Sequence, residues 1–148
     1  MITAEYTIPG LHVRDHEVEV PLDWDSPGPE RLTVFAREVV AAHRRDEDLP
    51  LMVYLQGGPG GKGPRPEDAN GWLAPLLERY RLVLLDQRGT GRSTRIDSAR
   101  IGAFASGDEG ADFLERFRAD SIVRDAEHLR TTDFGGRRWA TIGQSYGG

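Results

Sequence analysis

Near the end of the chain, residues 143–147, GQSYG, have the pattern G-x-S-x-G. This pattern is typical of a sharp turn from a strand into a helix, with an exposed serine hydroxyl at its tip. Side chains two residues before and after the serine would collide across the turn, so Gly143 and Gly147 are expected to be required. We therefore predict that Ser145 is a nucleophile. The N–H of Tyr146 would stabilise the negative charge that develops on the attacked carbonyl oxygen.

A second glycine-rich segment is a candidate for the other half of this oxyanion site. Residues 56–61, QGGPGG, follow Leu51–Leu55, a continuous apolar run that is typical of a strand buried on both faces. Glycines let the backbone approach a substrate carbonyl closely and present N–H groups to it. We predict that the N–H groups of Gly57 and Gly58 do so. A flexible surface loop is the alternative interpretation, and the buried strand that leads into the segment argues against it.

The same segment also allows a nucleotide-binding interpretation. Residues 58–63 form a literal G-x-G-x-x-G, and Asp86 ends the next apolar run about twenty residues later, as in dinucleotide-binding units. That motif requires a helix that begins within the glycines, but Pro64 and Pro66 follow at once. Pro59 also lacks the N–H that a pyrophosphate would need. Nucleotide binding is therefore disfavoured, and neither a cofactor nor a metal ion is expected.

The spacing of apolar residues predicts the elements that position these loops. We predict strands at 16–22 and 32–40 as an antiparallel hairpin, further strands at 51–55, 82–85 and 139–142, and helices at 70–80 and 112–130. The second helix is predicted to bury a face made of Phe113, Phe117, Ile122, Val123, Ala126 and Leu129. Strands that alternate with helices imply an α/β fold with a mostly parallel sheet and helices on both faces. Active sites in such folds lie at the carboxyl ends of the strands.

Three motifs in a fixed order resemble a known family. They are QGGPGG at 56–61, DQRGTGRS at 86–93 and GQSYGG at 143–148. In this order they are similar to the serine aminopeptidases of the α/β-hydrolase fold, the prolyl aminopeptidase (proline iminopeptidase) family. The resemblance covers about residues 16–148. It implies a peptidase that releases N-terminal residues, proline among them, through an acyl-enzyme on Ser145.

The resemblance also assigns roles to residues of the two glycine-rich loops. The segment GGPG at 57–60 corresponds to the family's oxyanion loop. Gln56 stands where the family usually has His, as in the branch that includes tripeptidyl aminopeptidases. In the loop after the fourth predicted strand, Asp86, Arg88 and Ser93 would support the rim of the site structurally. Asp86 and Arg88 are close enough in sequence to pair with each other.

A serine nucleophile needs a histidine base and a carboxylate that orients it, and in this fold both follow the serine in the chain. All four histidines, His12, His16, His43 and His128, precede Ser145. We expect each of them to be structural or solvated, with His128 at a helix surface. Residues 1–148 are therefore expected to be a partial α/β-hydrolase domain that ends at the nucleophile turn, without the cap and the C-terminal strands. Alone, they are expected to be inactive and poorly stable.

Composition limits the classes of partner. The net charge of −5 disfavours nucleic acid, and no apolar run approaches the ~20 residues that span a bilayer. The chain contains no cysteine, and residues 1–10 do not resemble a signal peptide, so a cytoplasmic location is expected. The expected partner is a peptide or small-molecule substrate, and the oligomeric state is left open. Two alternatives remain: an esterase or other small-molecule hydrolase on the same fold, and a non-catalytic binding protein.

Overall fold

The computed structural model describes residues 1–148, and its six strands form one mixed sheet. The strands are β1 (Ile2–Ile8), β2 (Leu11–Pro21), β3 (Arg31–Ala41), β4 (Leu51–Leu55), β5 (Arg81–Asp86) and β6 (Trp139–Gly143). Their order across the sheet is β1-β2-β3-β5-β4-β6. The pairs β1–β2, β2–β3 and β3–β5 are antiparallel, whereas β4 is parallel to both β5 and β6. The predicted α/β architecture is confirmed.

Helices cover both faces of the sheet. They are α1 (Ala74–Leu77), α2 (Ser98–Gly102), α3 (Gly107–Glu115) and α4 (Ala119–Asp133). Along β5, Leu82 lies in one apolar cluster with Leu77 of α1, and Val83 lies in a second cluster with Leu129 of α4. Successive residues of a strand face opposite sides, so β5 is buried on both. No helix has the length and apolar character needed to cross a membrane.

The leading part of the sheet is larger than the predicted hairpin. β1 adds a third antiparallel strand that the sequence analysis missed, because its side chains are mostly exposed and give little burial signal. β2 also begins earlier, at Leu11. Its apolar residues change sides along the strand: Val13 packs in the cluster of α1 and Val18 in the cluster of α4. The alternation of apolar and polar residues in the sequence therefore predicted only the second half of β2.

The prediction of one helix over residues 70–80 was wrong. Residues Gly71–Leu73 form a 3₁₀ turn, and α1 contains only Ala74–Leu77. Gly71 adopts φ +65°, which is outside the helical range, and Pro75 stands in the first turn of α1, where proline is tolerated. The chain therefore makes one 3₁₀ turn and one α-helical turn before it enters β5.

The predicted helix over 112–130 is two helices, α3 and α4, and α2 was not predicted. Asp97 and Ser106 cap α2 and α3 by accepting hydrogen bonds from backbone N–H groups, which are local start signals. At the end of α3, the carbonyl of Arg116 accepts a hydrogen bond of 2.7 Å from the Arg88 guanidinium, a tertiary contact that the local sequence does not reveal. Val123, predicted to be buried, is 61% exposed.

The two side chains Leu129 and Val123 of α4 offer a matched test of this fold. Leu129 is fully buried against the sheet. We expect Leu129→Ala to lower the free energy of unfolding by about 2–5 kcal/mol, because it leaves a cavity. Val123→Ala should change it by less than about 0.5 kcal/mol, since the side chain is exposed. Urea unfolding of the two variants measures the difference, and equal effects would contradict the orientation of α4.

Candidate active site

The serine of the GQSYG motif lies at the turn that follows β6. Ser145 adopts φ +56° and is the one residue other than glycine in the chain with a positive φ. This left-handed conformation is unfavourable for an L-residue and persists only where surrounding structure enforces it. The turn is held by the N–H of Gln144, which donates to the carbonyl of Leu55 at 3.2 Å, and by the N–H of Gly147, which donates to the carbonyl of Gln144 at 3.0 Å. The Ser145 side chain is exposed.

Both glycines of the motif lie where a side chain would collide with backbone. A Cβ on Gly143 would lie 2.2 Å from the carbonyl oxygen of Gly147, across the turn. A Cβ on Gly147 would lie 2.0 Å from the carbonyl oxygen of Leu55. The steric requirement predicted from sequence is therefore present at both positions. At Gly147 its cause is different, because the obstacle is the neighbouring strand β4.

The glycine loop, residues 56–63 after β4, packs directly on the serine turn, residues 143–147. A Cβ on Gly57 would lie 2.7 Å from the carbonyl oxygen of Gln144 and 2.9 Å from the Cβ of Ser145. Gly58 has φ +128°, which L-residues rarely adopt. No backbone carbonyl accepts a hydrogen bond from the N–H of Gly57, Gly58 or Tyr146. The structure thus brings the predicted oxyanion donors and the predicted nucleophile together, while their roles stay predictions.

The residue that opens the glycine loop is held at its side chain and at its backbone. The Tyr54 hydroxyl donates to the Gln56 side-chain oxygen at 3.1 Å. The carbonyl oxygen of Gln56 accepts a hydrogen bond of 3.0 Å from the side-chain nitrogen of Gln87. Gln87 is buried and belongs to the loop after β5. The loops that follow β4, β5 and β6 therefore meet at one edge of the sheet.

The helix that a dinucleotide site would require is absent from the loop after β4. Between the end of β4 and the 3₁₀ turn at Gly71, no helix begins. Asp86 is not available to a ribose either, because its carboxylate accepts hydrogen bonds from the N–H of Gly63 at 2.7 Å and of Arg92 at 2.8 Å, and it pairs with Arg65. These contacts fasten the glycine loop to the end of β5.

The predicted pairing of Arg88 with Asp86 was wrong. Arg88 instead makes two hydrogen bonds of 2.6 and 2.5 Å to the carboxylate of Asp125 on α4, and both side chains are buried. The Arg88 guanidinium also donates to the carbonyls of Pro21 and Leu22. Burial raises the pKa of the Asp125 carboxyl, and the hydrogen bonds from Arg88 oppose that rise. Arg88 thus joins the ends of β2 and α3 to the middle of α4.

Ser93 has a structural position in the same loop. Its hydroxyl donates to the carbonyl of Asp86 at 2.6 Å and accepts from the N–H of Phe35 at 2.9 Å. The side chain is 3% exposed. Ser93 therefore ties the loop after β5 to β3 and makes no hydrogen bond to the serine turn.

None of the four histidines donates to or accepts from Ser145. Both ring nitrogens of His16 are engaged, by Glu38 and by Asp133, each at 2.8 Å. His12 contacts Glu5 through Nε2, and its Nδ1 is buried without a partner. His128 on α4 is half-buried beside Trp24, with ring centres 5.7 Å apart.

The surroundings of His16 explain why a histidine is buried in β2. Burial raises the pKa of Glu38, but the hydrogen bonds from His16 and from Arg81 outweigh it, and the net result is a lowered pKa. The pKa of Asp133 is also lowered. Burial raises it, but the hydrogen bonds from the N-terminal ammonium and from His16 outweigh that rise. The cluster joins β2, β3, β5 and the end of α4, so it has a structural role.

Sequence reasoning missed two residues of this region, Gln87 and Asp125. Gln87 lies within the DQRGTGRS motif, and its contact with the glycine loop depends on two strands lying side by side. Asp125 lies in a helix whose other charged residues are mostly solvated. The one available signal was the position of Asp125, which lies at helical spacing on the same face as the apolar residues Ile122, Ala126 and Leu129.

Comparison with known proteins agrees with the geometry. The family model of the alpha/beta hydrolase fold matches residues 50–148. Two solved esterases have a similar fold at 15% identity: a cold-adapted esterase from an Arctic intertidal metagenomic library, with a TM-score of 0.52, and esterase E22, with a TM-score of 0.54. The matches cover 97% and 91% of this chain, and 54% and 41% of the respective esterases.

The chain therefore belongs to the α/β-hydrolase fold family. Within that family, it is 45% identical to a proline iminopeptidase of Aeromonas sobria and 38% identical to a proline iminopeptidase of Aspergillus aculeatus. The matches cover 97% and 88% of this chain. They cover 34% and 30% of the relatives, so the chain spans about a third of their length.

The steric limit at the serine turn can be tested with two glycines. Gly147→Ala would press a methyl group against the carbonyl of Leu55, and we expect it to lower the free energy of unfolding by about 1–3 kcal/mol or more. Gly102→Ala is the control, since nothing lies within 4 Å of a Cβ there. It should leave stability unchanged or slightly higher, as alanine favours helix. Equal stability of the two variants in thermal unfolding would refute the close approach.

The buried ion pair of Arg88 and Asp125 generates a second prediction. Asp125→Asn keeps an acceptor for the indole N–H of Trp24, now bonded at 2.8 Å, but leaves the Arg88 charge buried without a counter-ion. We expect a loss of about 3–5 kcal/mol in the free energy of unfolding. Asp25→Asn, in the exposed pair of Asp25 and Arg124, should leave the urea midpoint unchanged. A small effect of Asp125→Asn would mean that the pair does not anchor the loop.

Proposed function

We propose that this chain is part of a serine hydrolase that releases N-terminal residues, proline among them, from peptides. The observation that carries the proposal is the contact between Ser145, held at φ +56°, and the glycine loop at Gly57. A nucleophile exposed at a strained turn, beside free backbone N–H groups, is suited to acyl transfer. The names of the relatives support an N-terminal proline as the residue released.

The proposed reaction begins with attack of the Ser145 hydroxyl on the carbonyl carbon of the substrate's first residue. The N–H groups of Gly58 and Tyr146, with Gly57 as the alternative donor from the same loop, stabilise the oxyanion. Collapse of the tetrahedral intermediate breaks the C–N bond, and the shortened peptide leaves as an amine after it gains a proton. Water then hydrolyses the acyl-enzyme and frees Ser145.

A base must accept the Ser145 proton, and we propose that the histidine and its carboxylate lie outside residues 1–148. His16 already uses both ring nitrogens on Glu38 and Asp133, which supports this proposal. The relatives are about three times as long as the chain, so there is room for both groups in a protein of their length. Residues 1–148 would then form the N-terminal part of the hydrolase domain, inactive when isolated.

The nucleophile can be identified by covalent labelling. We expect a fluorophosphonate probe to modify the full-length protein that contains this chain, with the adduct on Ser145 in tandem mass spectra. Ser145→Ala should abolish the adduct and lower kcat by a factor of about 10⁴ or more. Ser26→Ala, which removes another exposed serine, should change neither the labelling nor kcat. Absence of any adduct would favour the non-catalytic alternative.

Substrate choice separates the aminopeptidase from an esterase. We expect hydrolysis of proline arylamide and little hydrolysis of its N-acetylated form, because the enzyme would require a free N-terminus. Hydrolysis of short-chain esters alone, by a protein still labelled at Ser145, would replace the peptidase proposal with an esterase.

A further inference from the structure

We propose that Gln87 positions the oxyanion loop for catalysis, although it does not touch the substrate. This inference rests on the proposed function, since it concerns how the glycine loop is held against Ser145. Gln87 follows directly after β5 and is 3% exposed. Its side chain reaches across to the neighbouring loop and donates to the carbonyl oxygen of Gln56 at 3.0 Å.

The chemistry of the partner determines which end of the Gln87 amide faces the loop. A carbonyl oxygen can only accept a hydrogen bond, so the facing atom must be the nitrogen of the amide. Leucine at this position would lack the donor, and an ionised glutamate would repel the carbonyl. The position therefore requires a buried neutral donor with the length of a glutamine.

The planarity of the peptide bond transmits this contact to the glycines. The carbonyl of Gln56 and the N–H of Gly57 belong to one planar unit, so fixing the carbonyl direction fixes the opposite direction of the N–H. Glycines restrict their own backbone dihedrals very little. Gly57 and Gly58 therefore depend on an external contact for their orientation, and Gln87 supplies one at the first peptide of the loop.

The Gln56 carbonyl also lies close to the serine turn. A Cβ on Gly147 would lie 3.1 Å from that oxygen, so Gly147 and the Gln87 amide both adjoin it. The Gln87 backbone is itself fixed, because its carbonyl accepts from the N–H and the hydroxyl of Thr90 at 3.0 and 2.8 Å. Gln87 thus links a rigid loop after β5 to the peptide that begins the oxyanion loop.

The test compares Gln87→Leu with Ser93→Ala in the full-length enzyme. Ser93 is equally buried in the same loop and loses two hydrogen bonds when truncated, but it does not contact the glycine loop. Removal of an oxyanion donor costs about 10²–10³ in kcat, and we expect a misplaced donor in Gln87→Leu to cost about 10–100-fold. KM should stay within about threefold, because the loss falls on the transition state.

The control defines what a purely structural effect would produce. Ser93→Ala should lower the thermal midpoint but leave kcat within about twofold of the wild type. If Gln87→Leu lowers the midpoint and leaves kcat as high as in Ser93→Ala, Gln87 is structural only and the inference is overturned. A wild-type enzyme that turns over proline arylamide and is labelled at Ser145 would still uphold the proposed function in that case. An inactive, unlabelled wild type would overturn both.

Gln87→Glu provides a second readout that does not depend on the folding of Gln87→Leu. A neutral glutamic acid can donate its O–H to the Gln56 carbonyl, whereas the carboxylate cannot. We expect the ratio of kcat in Gln87→Glu to kcat in the wild type to rise as the pH falls. Taking the ratio at each pH cancels the titration of the shared catalytic groups. A ratio that does not change with pH would contradict a hydrogen bond from residue 87.

Discussion

The close approach of three backbone segments is the constraint on which the candidate site depends. The carbonyl of Leu55, at the end of β4, receives the N–H of Gln144 at 3.2 Å and adjoins Gly147 so closely that no side chain fits there. Gly57 lies against Gln144 and Ser145, where an added Cβ would also come within 3 Å of either residue. These contacts force the turn to be tight, and the tight turn holds Ser145 in a left-handed conformation. The exposed hydroxyl is a consequence of that backbone packing.

Buried polar contacts then connect the rim to the rest of the fold. Arg88 reaches from the loop after β5 to Asp125 on α4, and Asp86 fastens the glycine loop through Gly63 and Arg65. Gln87, between them, contacts the Gln56 carbonyl. Three consecutive residues therefore have three different partners. Asp86 binds the N–H of Gly63, Gln87 binds the carbonyl of Gln56, and Arg88 binds the carboxylate of Asp125. A change at Asp86 or at Gln87 would remove a contact that holds the glycine loop.

The sequence was sufficient for the features that follow from local pattern. The apolar runs of β4 and β5 and the motif after β6 predicted the parallel part of the sheet and the meeting of its loops. Sequence reasoning failed where tertiary contacts decide. α3 ends at Arg116, whose carbonyl accepts a hydrogen bond from Arg88, and β2 is buried on both faces although it carries several polar residues. The sequence also could not predict the partner of Arg88, since Asp125 is distant in sequence and adjacent only after folding.

We propose that Ser145 attacks a carbonyl whose oxygen is then held by the glycine loop and the serine turn. A crystal structure of the full-length protein with Ser145 phosphonylated would show where that oxygen lies. We expect the phosphoryl oxygen to lie about 2.7–3.1 Å from the N–H nitrogens of Tyr146 and of Gly57 or Gly58. An adduct whose oxygen faces solvent, without contact to either segment, would contradict the assignment of these N–H groups as the oxyanion site.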